Sequence, residues 1–299
     1  MTTASSATKS PPWQSCFRPN LFEGKVALVT GGGTGLGRAI AFEIATLGAT
    51  VVIASRNQDV CLQAAKEMNA LLGQSSGEVV VGPPTSIRKE KEIQNLISHI
   101  IETYGSLDML VNNAGGQFVS PAEDLSTKGF GAVVSTNLQG TFVCCREAFT
   151  QWMRDHGGSI VNITLGNRNG IPQMVHSGAA RAGVENMTAT LCTEWIESGV
   201  RINCVRPGII WTESGFKNYG PAGDMFVDRI LPTLPAKRFG TPEEVSSAVV
   251  WLLCPGASYV TGTVLSVDGA SAYTFLPLIE IEDESHLPVY GTLPRKAKL

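Results

Sequence analysis

The chain has 299 residues and a net charge of −3, with 43% hydrophobic and 16% charged residues. That suffices for a sizeable core in one α/β domain or two smaller ones, and the slightly acidic balance supplies no basic field for nucleic acid. No apolar run reaches the roughly 18 residues of a membrane span. The seven cysteines lack metal-type spacing and the four histidines are scattered, which argues against a metal site and for reduced thiols.

Residues 1–20 are polar and proline-rich without the apolar centre of a secretory signal, and read as a loose arm. Organised structure starts at residues 25–38, KVALVTGGGTGLGR. An apolar strand pattern runs into a glycine-rich turn, and a helical pattern follows at once through Ala39, Ile40, Phe42 and Ile44. Strand, glycine turn and helix together form the context in which such a turn binds a nucleotide. Gly31, Thr34, Gly35, Leu36 and Gly37 are the expected cradle. Glycine lets backbone approach a pyrophosphate, and the new helix presents free N–H groups and its positive end. The next strand, residues 50–54, ends in Ser55-Arg56 about 20 residues past the turn, where an acid would hold a ribose 2′-hydroxyl. A serine and an arginine suit a 2′-phosphate, which selects NADP over NAD; the alternative is that Arg56 is a solvated surface residue.

Further along, residues 58–72 have helical spacing, 78–81 form a strand, 88–104 a charged helix and 108–111 a fourth strand ending in Asn112-Asn113-Ala114-Gly115. Residues 128–153 read as one long helix or two, with Asn137 in an apolar pattern. Strands at 159–163, 200–205 and 264–267 alternate with helices at 175–197 and beyond. Trp195 and Trp251 fall at apolar helical positions and are expected in the core. Such alternation predicts a Rossmann-type, doubly wound, parallel seven-stranded sheet in three α/β/α layers. The ligand is expected beyond the C-terminal strand ends. No composition break divides the chain, so residues 21–270 are expected to be one domain and 271–299 a tail.

The landmarks at residues 30–37, at Asn112–Gly115 (N-N-A-G), Asn137, Pro207-Gly208 and 267–269 (V-D-G) resemble, in order and spacing, the short-chain dehydrogenase/reductase family. The resemblance implies an NADPH-binding oxidoreductase. In it Asn113, Ala114 and Gly115 form the floor under the adenosine side, and Pro207, Gly208, Ile210 and Thr212 hold the nicotinamide carboxamide. Residues 211–237, mixing aromatics, glycines and prolines, would be a lid over the substrate, and a homotetramer is the assembly the family implies.

The sequence departs from the family where most members carry Tyr-x-x-x-Lys. Ser177 takes the tyrosine position, Arg181 the lysine position, and Thr164 or Leu165 the usual serine position. A serine hydroxyl is too weak an acid to replace the phenol, and an arginine holds a ribose without relaying a proton. Residues 115–130, 176–184 and 235–247 resemble the branch that reduces carbon–carbon double bonds of acyl-CoA thioesters in peroxisomes. This implies NADPH-dependent reduction of the 2,3 double bond of a trans-2-enoyl-CoA. The alternative is a 2,4-dienoyl-CoA, whose reductases residues 162–168 resemble; a carbonyl reductase or a catalytically silent nucleotide binder is less favoured. Such chemistry requires an oxyanion donor near the thioester. Ser177 is the candidate donor, Asn137 the residue that organises a water and Arg181 the one that holds the ribose. Glu185 is the rival proton donor, with His176 a further candidate and Arg168 and Arg206 candidate contacts for CoA phosphates. The terminal Ala297-Lys298-Leu299 is a variant of the tripeptide read by the peroxisomal import receptor, which implies the peroxisome matrix.

Overall fold

The computed structural model describes residues 14–73, 76–166, 170–213, 215, 230–273 and 287–292. Seven strands form one sheet: β1 (Val26–Thr30), β2 (Thr50–Ala54), β3 (Glu78–Val81), β4 (Met109–Asn112), β5 (Gly158–Ile163), β6 (Val200–Pro207) and β7 (Val264–Val267). Their order is β3-β2-β1-β4-β5-β6-β7, and every pairing is parallel.

Being covered on both faces, the central strands β1, β4 and β5 are buried along almost their whole length rather than alternating. In β1 all five residues are buried. Ala27 and Val29 pack toward α1 (Gly35–Thr46), α2 (Gln58–Asn69) and the helix Pro242–Leu253. Val26 and Leu28 pack on the opposite face, toward α3 (Glu90–Tyr104) and the helices that follow β4 and β5. This is the two-residue period of a strand laid between two helical layers.

Between β4 and β5 runs one continuous helical stretch: α4 (Thr127–Val134), a π turn (Ser135–Gln139), α5 (Gly140–Ala148), a second π turn (Phe149–Met153) and α6 (Arg154–His156). The expected choice of one helix or two thus resolves into one helix with two wide turns, the first carrying Asn137. α7 (Val175–Glu194) follows β5, and α8 (Pro242–Leu253) precedes β7. α8 starts in a capping box in which Thr241 and Glu244 satisfy each other's backbone N–H groups.

The strand order reverses between β1 and β4, which opens a crevice at their C-terminal ends. Two expectations are corrected. Trp195 is buried, but Trp251 is 39% exposed, because α8 turns that side to solvent. The described part of the N-terminal arm is not loose: Ser15 donates a hydrogen bond to Glu43 of α1, and the Cys16 N–H to the Tyr290 hydroxyl. Most of the expected lid (214 and 216–229) lies outside the described residues, as do Arg168 and Ala297-Lys298-Leu299. Its described end packs Leu231, Leu234 and Phe239 against Ile209 and Trp211. No helix among the described residues is long and apolar enough to span a membrane, and no metal-holding cluster occurs among them.

Candidate functional site

A cleft of about 570 Å³ opens at the reversal point. Its lining joins the turn after β1 (Gly31, Thr34, Gly35, Leu36), the end of β2 (Ser55, Arg56), residues 85–88, the loop 113–118, and Thr212. Gly31 and Gly35 take φ +67° and +52°, where other side chains are strained. A Cβ on Gly37 would stand 2.4 Å from the Gly31 carbonyl oxygen, so only glycine lets α1 start this close to the turn. Thr34 precedes α1 in extended conformation without a side-chain cap, and the first turn carries no acid. The helix therefore offers its N–H groups and positive end to an anion instead of to its own residues.

At the far end, the Ser55 hydroxyl accepts from the Asn57 N–H (3.2 Å) and donates to the Asn57 carbonyl (3.0 Å), fixing the turn that presents Arg56. Arg88, which sequence reasoning passed over, lines the same cleft. No carboxylate lines it among the described residues. Two guanidinium groups thus stand at this end of the cleft. The glycine cradle and this cationic end together suit a nicotinamide dinucleotide.

The floor is held by side chains of β1 and β4. The Thr30 hydroxyl donates to the Val111 carbonyl and accepts from the N–H groups of Asn113 and Ala114. The Asn113 carboxamide donates to the carbonyls of Thr30 and Gly31. Gly115 follows, and a Cβ there would lie 2.2 Å from Arg181 Nη2. The missing side chain is what lets the guanidinium reach the floor.

Arg181 itself is buried and donates from Nη1 to the Ile163 carbonyl at 2.8 Å. Burial lowers its pKa to about 10, so it stays charged at neutral pH. Among the described residues no carboxylate pairs with it. A buried cation without a counter-charge is costly unless a ligand completes it.

Asn137 is buried in the first π turn. Its Oδ1 accepts from the Gly116 N–H and its Nδ2 donates to the Gly116 carbonyl, each at 3.0 Å. The side chain expected to organise the site clamps the loop after β4. Ser177 is fully buried near the start of α7, and its hydroxyl donates to Gln117 Oε1 at 2.7 Å. The hydroxyl thus faces Gln117, and it is Gln117 that lines the cleft. Sequence reasoning missed Gln117; the one available signal was its place two residues beyond the N-N-A-G stretch. His176 is buried against Phe118, rings edge to face at 4.6 Å.

The rival donor lies in a different setting. Glu185 takes two hydrogen bonds from Arg206 (2.9 and 2.6 Å) and one from Thr164 (3.0 Å). Both oxygens are engaged as acceptors, and Glu185 is not among the residues that line the cleft. The same pair holds Arg206, and the carboxylate raises the Arg206 pKa. Of the four residues expected at the nicotinamide, Thr212 alone lines the cleft. Pro207 and Gly208 remain hydrogen-bonded at the sheet end, and Ile210 faces a separate cavity of about 360 Å³.

Residues 31–270 match the family model described as Enoyl-(Acyl carrier protein) reductase. The peroxisomal 2,4-dienoyl-CoA reductase [(3E)-enoyl-CoA-producing] of Danio rerio is 37% identical over 260 residues, 86% of this chain and 85% of that protein. The enzyme of the same description in Saccharomyces cerevisiae is 31% identical, covering 90% of this chain and 91% of its own. Among solved structures, the citronellol catabolism dehydrogenase AtuB of Pseudomonas aeruginosa PAO1 superposes with a TM-score of 0.76 at 41% identity, covering 87% of this chain and all of that one.

Gly115→Ala tests the floor. The new methyl must displace Arg181, so affinity for the nicotinamide dinucleotide should fall by about tenfold or more, equivalent to roughly 1.4 kcal/mol. Calorimetric titration of the folded variant measures this, and an unchanged dissociation constant would remove Arg181 from the binding site.

Proposed function

The chain belongs to the short-chain dehydrogenase/reductase family, and on that footing we propose that it is an NADPH-dependent reductase of carbon–carbon double bonds conjugated to a CoA thioester. A 2,4-dienoyl-CoA is the preferred substrate. The activity named for the relatives favours this over the trans-2-enoyl-CoA expected from the sequence. Saturation of a trans-2-enoyl-CoA is the second reading, supported by the likeness of residues 115–130 and 176–184 to that branch.

The observation that carries the proposal is the Ser177–Gln117 pair. Where a carbonyl reductase places a phenol to exchange a proton with a ketone, this chain places a buried hydroxyl that orients a carboxamide. An amide N–H cannot transfer a proton at useful rates but is a good donor to a developing oxyanion. NADPH, when bound, supplies the hydride. Hydride addition to the terminal carbon of the conjugated system puts negative charge on the thioester oxygen, where the Gln117 amide is the proposed donor. A proton from water then reaches Cα, giving the 3-enoyl thioester from a dienoyl substrate or the saturated thioester from an enoyl one. Ser177 sets the rotamer of Gln117, Asn137 fixes the backbone before it, and Arg181 holds the nicotinamide ribose. Thr164, Glu185 and Arg206 brace α7 against the ends of β5 and β6.

Initial rates of NADPH oxidation with a 2,4-dienoyl-CoA, trans-2-enoyl-CoAs and ketones test the reading. Turnover should be fastest with the dienoyl thioester, and preference for a ketone would overturn it. Gln117→Leu should lower kcat by about 10²-fold while NADPH affinity holds, since the contact forms mainly in the transition state.

Cofactor choice follows from Arg56 and Arg88. NADPH should bind more tightly than NADH by roughly 1.5–3 kcal/mol, the worth of a charge-assisted phosphate contact. Arg56→Ala should remove most of that difference, as read by fluorescence titration with each cofactor.

A peroxisomal location is proposed from the relatives' descriptions and the terminal Ala297-Lys298-Leu299. Removing Leu299 should leave the protein in the cytosol by fractionation; continued peroxisomal recovery would place the address elsewhere.

A further inference from the structure

Away from the cleft, the two ends of the described chain meet over α1 and α8 around one buried carboxyl. Glu43 is fully buried on α1. Its Oε1 accepts from the Ser15 hydroxyl at 2.7 Å and lies 3.5 Å from the Tyr290 hydroxyl. Its Oε2 is hydrogen-bonded to the Ser246 hydroxyl of α8. The Tyr290 hydroxyl also accepts from the Cys16 N–H (2.9 Å) and reaches the Gln14 carbonyl (3.3 Å). One carboxyl thus joins an N-terminal segment, a C-terminal strap and two helices, whose bonded residues lie up to 276 positions apart.

The strap has fastenings of its own on the α8 side. Arg238 donates to the Pro288 carbonyl (2.7 Å), and the Thr241 hydroxyl to the Tyr290 carbonyl. Gly291, at φ +100°, packs against Glu243, where a Cβ would stand 2.5 Å from Oε2. Arg238 and Glu244 neutralise each other beside the strap.

We propose that Glu43 is the latch of a proton-sensitive clasp, closed while its carboxyl is neutral and loosened as it ionises, that fastens residues 14–17 and 287–292 to the α1–α8 face.

The hydrogen bonds suit the neutral form. With a proton on Oε2, Glu43 donates to Ser246, whose own hydroxyl proton goes to the Glu243 carbonyl at 3.2 Å. Ser15 donates to Oε1, so every polar atom is used. The ionised form leaves a charge with no cation bonded to it among the described residues, beside the half-buried carboxyl of Glu243. The titratable groups facing Glu43 are Glu243 from α8, Tyr290 from the strap and Cys16 from the N-terminal segment. Burial raises the Glu43 pKa from 4.5 to about 7, opposed in part by the hydroxyls of Ser246, Ser15 and Tyr290 and assisted by the charge of Glu243. Because the closed-state value lies above that of the open state, closure binds a proton. The contribution of Glu43 to closure is complete below pH 4.5, falls as pH rises toward 7, and is lost beyond it.

Hydrogen exchange by mass spectrometry on the full-length protein, corrected for intrinsic exchange chemistry, reads the clasp. Between about pH 5 and pH 7.5, protection of residues 14–17 and 287–292 should fall by about tenfold or more. Glu43→Gln keeps shape and polarity without the ionisation, and should hold protection within about threefold across that range. A flat response in the unmodified protein would overturn the proposal. So would an undiminished pH response in Glu43→Gln that disappears in Glu243→Gln, which moves the latch to Glu243. Tyr290→Phe keeps Glu43 but uncouples the strap from the N-terminal segment, and should raise exchange in residues 14–17 by about threefold or more at pH 5. Unchanged exchange there would also overturn it.

Discussion

The site hangs on the bonds between Thr30 and the residues after β4. A parallel sheet that reverses its strand order leaves two neighbouring strand ends whose chains depart to opposite faces. Nothing in the ladder itself fixes how those departing chains stand to each other. Here the Thr30 hydroxyl takes the N–H groups of Asn113 and Ala114, and the Asn113 carboxamide returns two bonds to Thr30 and Gly31. The glycine turn and the loop after β4 are thereby bonded into one piece. Gly115, Gly116 and Gln117 inherit their positions from that piece, and Asn137 and Ser177 fasten the loop from the helical layer.

The arrangement tolerates two local costs. A π turn gives up regular helical hydrogen bonding in the middle of a long helix, and a guanidinium is buried without a carboxylate. Both occur beside the loop 113–118. Wide turns within helices are frequent at functional sites because they re-aim one side chain without disturbing the rest. Asn137 uses the turn to reach Gly116, and Arg181 gains its place because Gly115 and the Ile163 carbonyl leave room and an acceptor.

What could be read in the sequence was what short stretches decide. The glycine turn, all seven strands and the single parallel sheet follow from local backbone limits and apolar runs, and the sheet matches. The catalytic side was harder, since partners there come from distant segments. Ser177 and Gln117 are 60 residues apart, Glu185 and Arg206 are 21, and nothing in either stretch names its partner. Asn137 was singled out, but a carboxamide that clamps a backbone and one that holds water look alike in sequence. Trp251 shows the same limit for packing: helical spacing gives the side of the helix, and only the neighbours decide whether that side is covered.

The bond from Asn113 back to Thr30 spans 83 residues, which bears on how the protein is made. A ribosome releases β1, β2 and β3 long before β4, so the earliest sheet is three strands with β1 at its rim. That rim is Val-Ala-Leu-Val, uncharged and buried in the finished molecule. An open apolar edge of this kind invites pairing with another nascent chain. Until β4 arrives, the strand that carries the nucleotide turn is the chain's most adhesive segment, and closing the crevice is also what retires it.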